Sequence, residues 1–139
     1  MSLHFTIITP LRTALETEVS SVHLPASQGE MEVLPGHTDL ITSVANGALT
    51  YRPVGGEAQT LFVGGGFLQV ENDRVLLVTD TALAAADIDT DTVEKAVERA
   101  KAALRNSASV LSREEQANLE AAIAKQLAML EFHKKLHKH

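Results

Sequence analysis

The sequence has no cysteine, no tryptophan and a single tyrosine, Tyr51. Without cysteine, a disulfide framework, thiolate-ligated zinc, iron–sulfur clusters and thiol catalysis are excluded. The absence also fits a reducing compartment. No stretch approaches the roughly 18 apolar residues of a membrane-spanning helix. Met1-Ser2-Leu3-His4 lacks a basic region leading into an apolar run, so no signal peptide is expected. The Gly-x-Ser-x-Gly elbow, the Walker loop and Gly-x-Gly-x-x-Gly are missing too.

What the 139 residues do contain is unevenly distributed. All eight glycines and all four prolines lie before residue 67. The net charge of −6 belongs entirely to residues 1–86, where nine carboxylates face three arginines; residues 87–139 carry nine acids and nine bases. An acidic first part opposes a nucleic-acid module, which needs clustered Lys and Arg. The basic end, Lys134, Lys135 and Lys138, is the one feature in its favour.

Residues 3–85 read as short strands. Leu3, Phe5 and Ile7 alternate up to Pro10, and Val19, Val22 and Leu24 run to Pro25. Glu30-Met31-Glu32-Val33 alternates strictly, with Met31 and Val33 facing one way, before the turn signal Pro35-Gly36. Asn46-Gly47 is the strongest hairpin signal in the chain. Segments 61–63, 67–70 and 75–78 complete the set, with Glu71-Asn72-Asp73 as a hairpin loop. Strands at roughly 8–12-residue spacing predict an antiparallel sandwich or barrel. With no helical crossovers, a parallel sheet is not expected.

From Asp87 the period changes to that of helices. Val93, Val97, Ala100 and Leu104 share one helical face, and Thr90 or Asp91 is the expected cap. Residues 105–109 form a break, and Ser112-Arg113-Glu114-Glu115 reads as a capping box. The second stripe is Leu119, Ile123, Leu127 and Leu130, and alanines flank both stripes. The expected fold is α+β, strands then helices: residues 1–86 as a β unit and 87–139 as an antiparallel two-helix hairpin. With so few large apolar side chains per helix, the hairpin is expected to be easily moved or to need a docking surface.

Catalytic candidates are weak. Gly64-Gly65-Gly66 precedes no helix, so it reads as a bulge or close backbone approach rather than a phosphate cradle. Glu30 and Glu32 share a strand face and could act as an acid–base pair, but the pattern is also that of a solvent face. His133 and His137 are four apart on a helix and could chelate a metal, although the lysines around them favour a solvated helix end. His4, His23 and His37 are dispersed; a small metal-binding β-barrel enzyme with a helical tail would use one or more of them.

Taken in order, the motifs resemble one family. Gly29-Glu30-Met31-Glu32-Val33-Leu34-Pro35-Gly36-His37 resembles the Gly-Glu-Leu-Gly-x-x-Pro-Gly-His segment of F-type ATP synthase epsilon subunits. Val63-Gly64-Gly65-Gly66-Phe67-Leu68-Gln69-Val70 is similar to that family's Ser-Gly-Gly-x-x-Glu-Val strand, and Val75 to Ala82 to its Val-x-Val-Leu-Ala-Asp-Thr-Ala strand. Asp87-Ile88-Asp89 matches the entry to its first helix. The resemblance implies a ten-stranded N-terminal β-sandwich that binds the gamma subunit and rests on the c-subunit ring. It also implies a C-terminal hairpin that lies on the sandwich or extends along gamma into the alpha/beta catalytic head to inhibit ATP hydrolysis. The chain would then be a non-catalytic rotor subunit that helps couple proton transport to ATP synthesis. It would be peripheral to the cytoplasmic face of the bacterial plasma membrane, reaching the membrane only through the complex. Glu30, Glu32 and His37 become candidates for the c-ring side. Glu32 stands where the family has Gly, Met31 where it has Leu, Gly64 for Ser and Gln69 for Glu. Some members bind ATP through Ile-Asp-x-x-Arg-Ala; here Thr92 and Val93 replace Arg and Ala and Asp91 adds an acid, so no cofactor is expected and ATP binding should be absent or weak.

Overall fold

A computed structural model describes residues 1–107 and 109–137, except for the side chain of His137. The chain divides into two compact units, Met1–Ala84 and Ala85–His139.

The first unit is built from seven strands: β1 (Leu3–Thr9), β2 (Arg12–Ala26), β3 (Gly29–Val33), β4 (Leu40–Pro53), β5 (Gln59–Glu71), β6 (Arg74–Thr79) and β7 (Ala82–Leu83). Their order is β1-β6-β5-β4-β2-β3, β7 pairs with β5, and β2 also pairs with β1. The circuit β1-β6-β5-β4-β2-β1 therefore closes on itself, giving a barrel-like sandwich. The resemblance implies about ten strands and the unit has seven: β4 runs on through Asn46-Gly47, where a turn is expected, and β5 through Gly64-Gly65-Gly66, where a bulge or bend is expected.

One turn expectation fails, for a non-local reason. Asn46-Gly47 makes no hairpin: both residues lie inside β4, and Asn46 and Gly47 pair with Gly64 and Val63 of β5. Here glycine serves close approach, since a Cβ at Gly47 would lie 3.2 Å from the Pro25 ring. The sheet is antiparallel, as expected, except at one seam, where β1 and β6 pair in parallel from His4↔Arg74 to Ile8↔Val78. The crossover that a parallel pair requires is supplied by the intervening strands rather than by a helix.

Gly66 behaves as the triple glycine suggested. A Cβ there would sit 1.9 Å from the Val78 carbonyl oxygen, so the residue allows β5 to press against β6. Beneath it the buried Thr79 places Oγ1 2.5 Å from the Gly65 carbonyl oxygen. Inward-facing Leu3, Phe5, Ile7, Val19, Val22, Leu24, Val33, Leu49, Val63, Leu68 and Leu77 form a core with no exposure. The rings of Phe5 and Tyr51 meet at 5.9 Å in a tilted arrangement.

The second unit begins with a 3-10 turn at Ala85–Asp87, followed by α1 (Thr90–Ser107) and α2 (Arg113–His137). The cap of α1 is Asp89, one residue before Thr90 and two before Asp91, the expected positions: Thr92 donates to its carboxylate from the backbone N–H (3.3 Å) and from the hydroxyl (2.8 Å). These bonds hold the Asp89 carboxyl below its usual range. α1 runs on through Arg105-Asn106-Ser107, so the first three residues of the expected break are helical; Ala108 lies outside the described residues. The capping box of α2 is reciprocal, Glu115 N–H donating to Ser112 Oγ (3.0 Å) and Ser112 N–H to Glu115 Oε1 (3.2 Å). α1 packs on α2, and α2 also touches the 3-10 turn.

Candidate docking surface

β3 is the terminal strand of the sheet order. Glu30 and Glu32 project outward from it into solvent, while Met31 is half-buried and Val33 buried. His23, across the ladder on β2, brings Nδ1 to 3.5 Å from Glu30 Oε2. Charged side chains on a terminal strand discourage pairing with another edge and leave a polar face open to a partner.

His37 lies in the loop Leu34–Asp39 that joins β3 to β4. Its N–H donates to the Leu34 carbonyl (3.0 Å), closing the Pro35-Gly36 turn, and Nδ1 donates to the Thr38 carbonyl (2.7 Å). Gly36 adopts φ +83, which glycine accepts without strain. The loop is tied to the two-residue turn between β5 and β6. Gly36 N–H donates to Asp73 Oδ1 at 2.8 Å, and Asn72 N–H to Asp39 Oδ1 at 3.4 Å. Asn72 and Asp73, with φ +49 and +59, form the mirror-image hairpin turn between Glu71 and Arg74. The sequence marked that hairpin but gave no sign of the tie.

His4 is engaged elsewhere, with Nδ1 2.8 Å from Glu18 Oε1 and Nε2 3.0 Å from Glu16 Oε2. His4, His23 and His37 thus have three different sets of neighbours. Among the described residues no group of three or more His, Asp or Glu could hold a metal ion. His137 of the His133/His137 pair has its side chain outside the described residues, as are Lys138 and His139.

A second surface is apolar. On the outward face, Ile8, Val78 and Phe67 stand in register across β1, β6 and β5, and Ile41 lies one row along on β4. Phe67 is 63% exposed and Ile41 73%.

On the hairpin, Val93 and Val97 are buried, and Ala100, Leu104, Leu119, Ile123 and Leu130 are half-buried. Leu127 is 44% exposed, and among the described side chains of α2 the buried ones are Met129 and Phe132, outside the expected stripe. At about 100° per residue, Leu127 lies about 80° round from Leu119, at the margin of the helix face, and Met129 about 80° to the other side. In the α1 segment aligned with the nucleotide motif, the Thr92 hydroxyl is spent on the Asp89 carboxylate.

A polar edge strand and an exposed apolar row on a closed β unit define a docking protein with a helical appendage. Residues 2–85 match the family model for the β-sandwich domain of the ATP synthase delta/epsilon chain. The chain is 35% identical to the ATP synthase epsilon chain of Nitratidesulfovibrio vulgaris over 93% of each protein. It is 38% identical to that of Moorella thermoacetica, over 93% of this chain and 94% of the relative. In fold it is similar to a chain of the Euglena gracilis mitochondrial ATP synthase OSCP/F1/c-ring structure. That match has TM-score 0.74 and 23% identity, and covers 94% of this chain and 80% of that one. The chain belongs to the ATP synthase epsilon chain family. It is accordingly a central-stalk subunit and not itself an enzyme, and the metal-dependent β-barrel enzyme is not favoured.

Proposed function

We propose that the sandwich joins the chain to the rotor and that the hairpin regulates it. The outward-facing Glu30 and Glu32 and the His37 loop are the c-ring side. The exposed apolar row of Ile8, Val78, Phe67 and Ile41 supports docking of the gamma subunit, since covering such a patch provides association energy. The hairpin, with its stripe Val93, Val97, Ala100, Leu104, Leu119, Ile123, Leu127 and Leu130, inhibits ATP hydrolysis by extending into the alpha/beta head. The protein acts at the cytoplasmic face of the bacterial plasma membrane, as part of the proton-coupled complex.

The observation that carries this reading is the pairing of a closed, fully packed sandwich with a thinly packed hairpin. A helix pair that buries so little of itself can exchange one docking site for another at small cost. Deleting residues 87–139 is expected to leave assembly with gamma intact and to raise ATP hydrolysis by the complex severalfold. Unchanged hydrolysis would remove the inhibitory half of the proposal. Nucleotide is not part of it: calorimetric titration of the isolated chain with ATP is expected to give no heat of micromolar binding.

A further inference from the structure

The His37 loop does not hold its shape alone. Leu34–Asp39 and Asn72-Asp73 are remote in sequence, yet each gives the other one backbone N–H and takes one in return: Gly36 to Asp73 at 2.8 Å and Asn72 to Asp39 at 3.4 Å. A backbone N–H on an exposed loop would otherwise bond water, so a carboxylate spent on it fixes geometry. Asp73 is the stronger member, with the shorter bond and the half-buried position; Asp39 is exposed. Its bond reaches the residue immediately before His37. The His37 ring is then oriented from the other side by Nδ1 donating to the Thr38 carbonyl, which leaves Nε2 as the second ring nitrogen for a partner.

We infer that Asp73, assisted by Asp39, is a positioning residue for docking on the c ring, and that the β5–β6 turn belongs to the same docking end as the His37 loop. This rests on the docking role proposed for His37. The carboxylate acts through Gly36 as a hydrogen-bond acceptor, so its charge is dispensable and its acceptor oxygen is not.

That distinction sets the test. Asp73→Gly removes the acceptor while accepting φ +59 without strain, and Asp73→Asn keeps an acceptor and tolerates the same φ. In the full-length chain, Asp73→Gly is expected to speed exchange of the Gly36 amide about tenfold, the effect of losing a hydrogen bond to a charged group, and Asp73→Asn to restore most of the protection. In the reconstituted complex, ATP-driven proton pumping per ATP hydrolysed should fall with Asp73→Gly and with His37→Ala but not with Asp73→Asn. Affinity for isolated gamma and the unfolding midpoint should stay near wild type. Equal loss with Asp73→Asn would overturn the inference, because charge would then be what matters. So would normal pumping by Asp73→Gly when His37→Ala is impaired. Normal pumping by His37→Ala would instead defeat the docking role of His37, and the inference with it, whatever the amide exchange shows.

Discussion

The two units of this chain solve the problem of burial differently. In the sandwich, inward-facing side chains from six strands reach zero exposure, and the sheet closes on itself. In the hairpin, α1 buries Val93 and Val97 and α2 buries Met129 and Phe132, and most of the remaining apolar side chains are half-buried. A closed sheet pairs its strands by contacts remote in sequence, so its parts stand or fall together. A helix satisfies its own backbone, and local devices such as caps carry a larger share of its stability. The rigid unit is thus suited to hold a fixed interface, and the locally stabilised one to move.

The sharpest way to break this comparison is to truncate one apolar stripe side chain in each unit. Phe5→Ala is expected to destabilise the sandwich by about 3–5 kcal/mol, the cost of a large cavity in a core that cannot collapse. Leu127→Ala, at a 44% exposed position, is expected to cost less than about 1 kcal/mol. The sole tyrosine, Tyr51, lies in β4, so tyrosine signals in a denaturant titration report the sandwich while helical ellipticity reports mainly the hairpin. Equal costs for the two substitutions would mean that the hairpin is packed as tightly as the sandwich.

A smaller effect sharpens the other half of the contrast. Asp89→Ala and Ser112→Ala each remove an observed cap, at about 1 kcal/mol apiece. The loss should appear as helical signal melting earlier, with the tyrosine transition unmoved. An equal shift of both transitions would show that the units unfold as one.

The sequence revealed more of this architecture where the determining forces are local. The alternation in β3, the capping box at Ser112 and the Asn72-Asp73 hairpin are set by neighbours a few residues away, and they were legible. Asn46-Gly47 misled because the local turn preference was overridden by pairing with Gly64 and Val63 and by the approach of Pro25. The β1–β6 pairing joins the two ends of the sandwich sequence, and no periodicity encodes it. On β3, the outward face of Glu30 and Glu32 followed from alternation. The tie from Asp73 to Gly36 spans strands β4 and β5, and a single sequence contains no signal for it. On α2 the stripe identified a helix face, but at Leu127 and Met129 the choice between its two margins depends on neighbours that helical spacing does not specify.

The smallest expected effect is electrostatic and lies where β1 meets β2. His4 stands between Glu16 and Glu18, and both ring nitrogens approach carboxylate oxygens at hydrogen-bonding distance. Both can donate at once only if the ring is protonated. The bond to Glu18, then that to Glu16, raises the His4 pKa; His4 and then Ser2 lower that of Glu18. Arg74, paired with His4 on β6, adds a weaker pull on Glu18. A raised histidine contributes stability that is complete below its unfolded pKa and is lost as pH rises through its folded pKa. A lowered carboxylate contributes stability that is present above its unfolded pKa and is lost as pH falls through its folded pKa. The clip should therefore act between the two, through the weakly acidic range, and fade toward alkaline pH. Because the groups are solvent-exposed, the gain is slight and screened by salt. Subtracting the pH–stability profile of His4→Gln from that of the wild type isolates it. The difference should be positive in the weakly acidic range, vanish at alkaline pH and shrink in high salt. The His4 ring should titrate above the ordinary histidine value in the same protein. A His4 titration at the ordinary value, with a flat difference profile, would mean that the sandwich seals this seam by strand pairing and core packing alone.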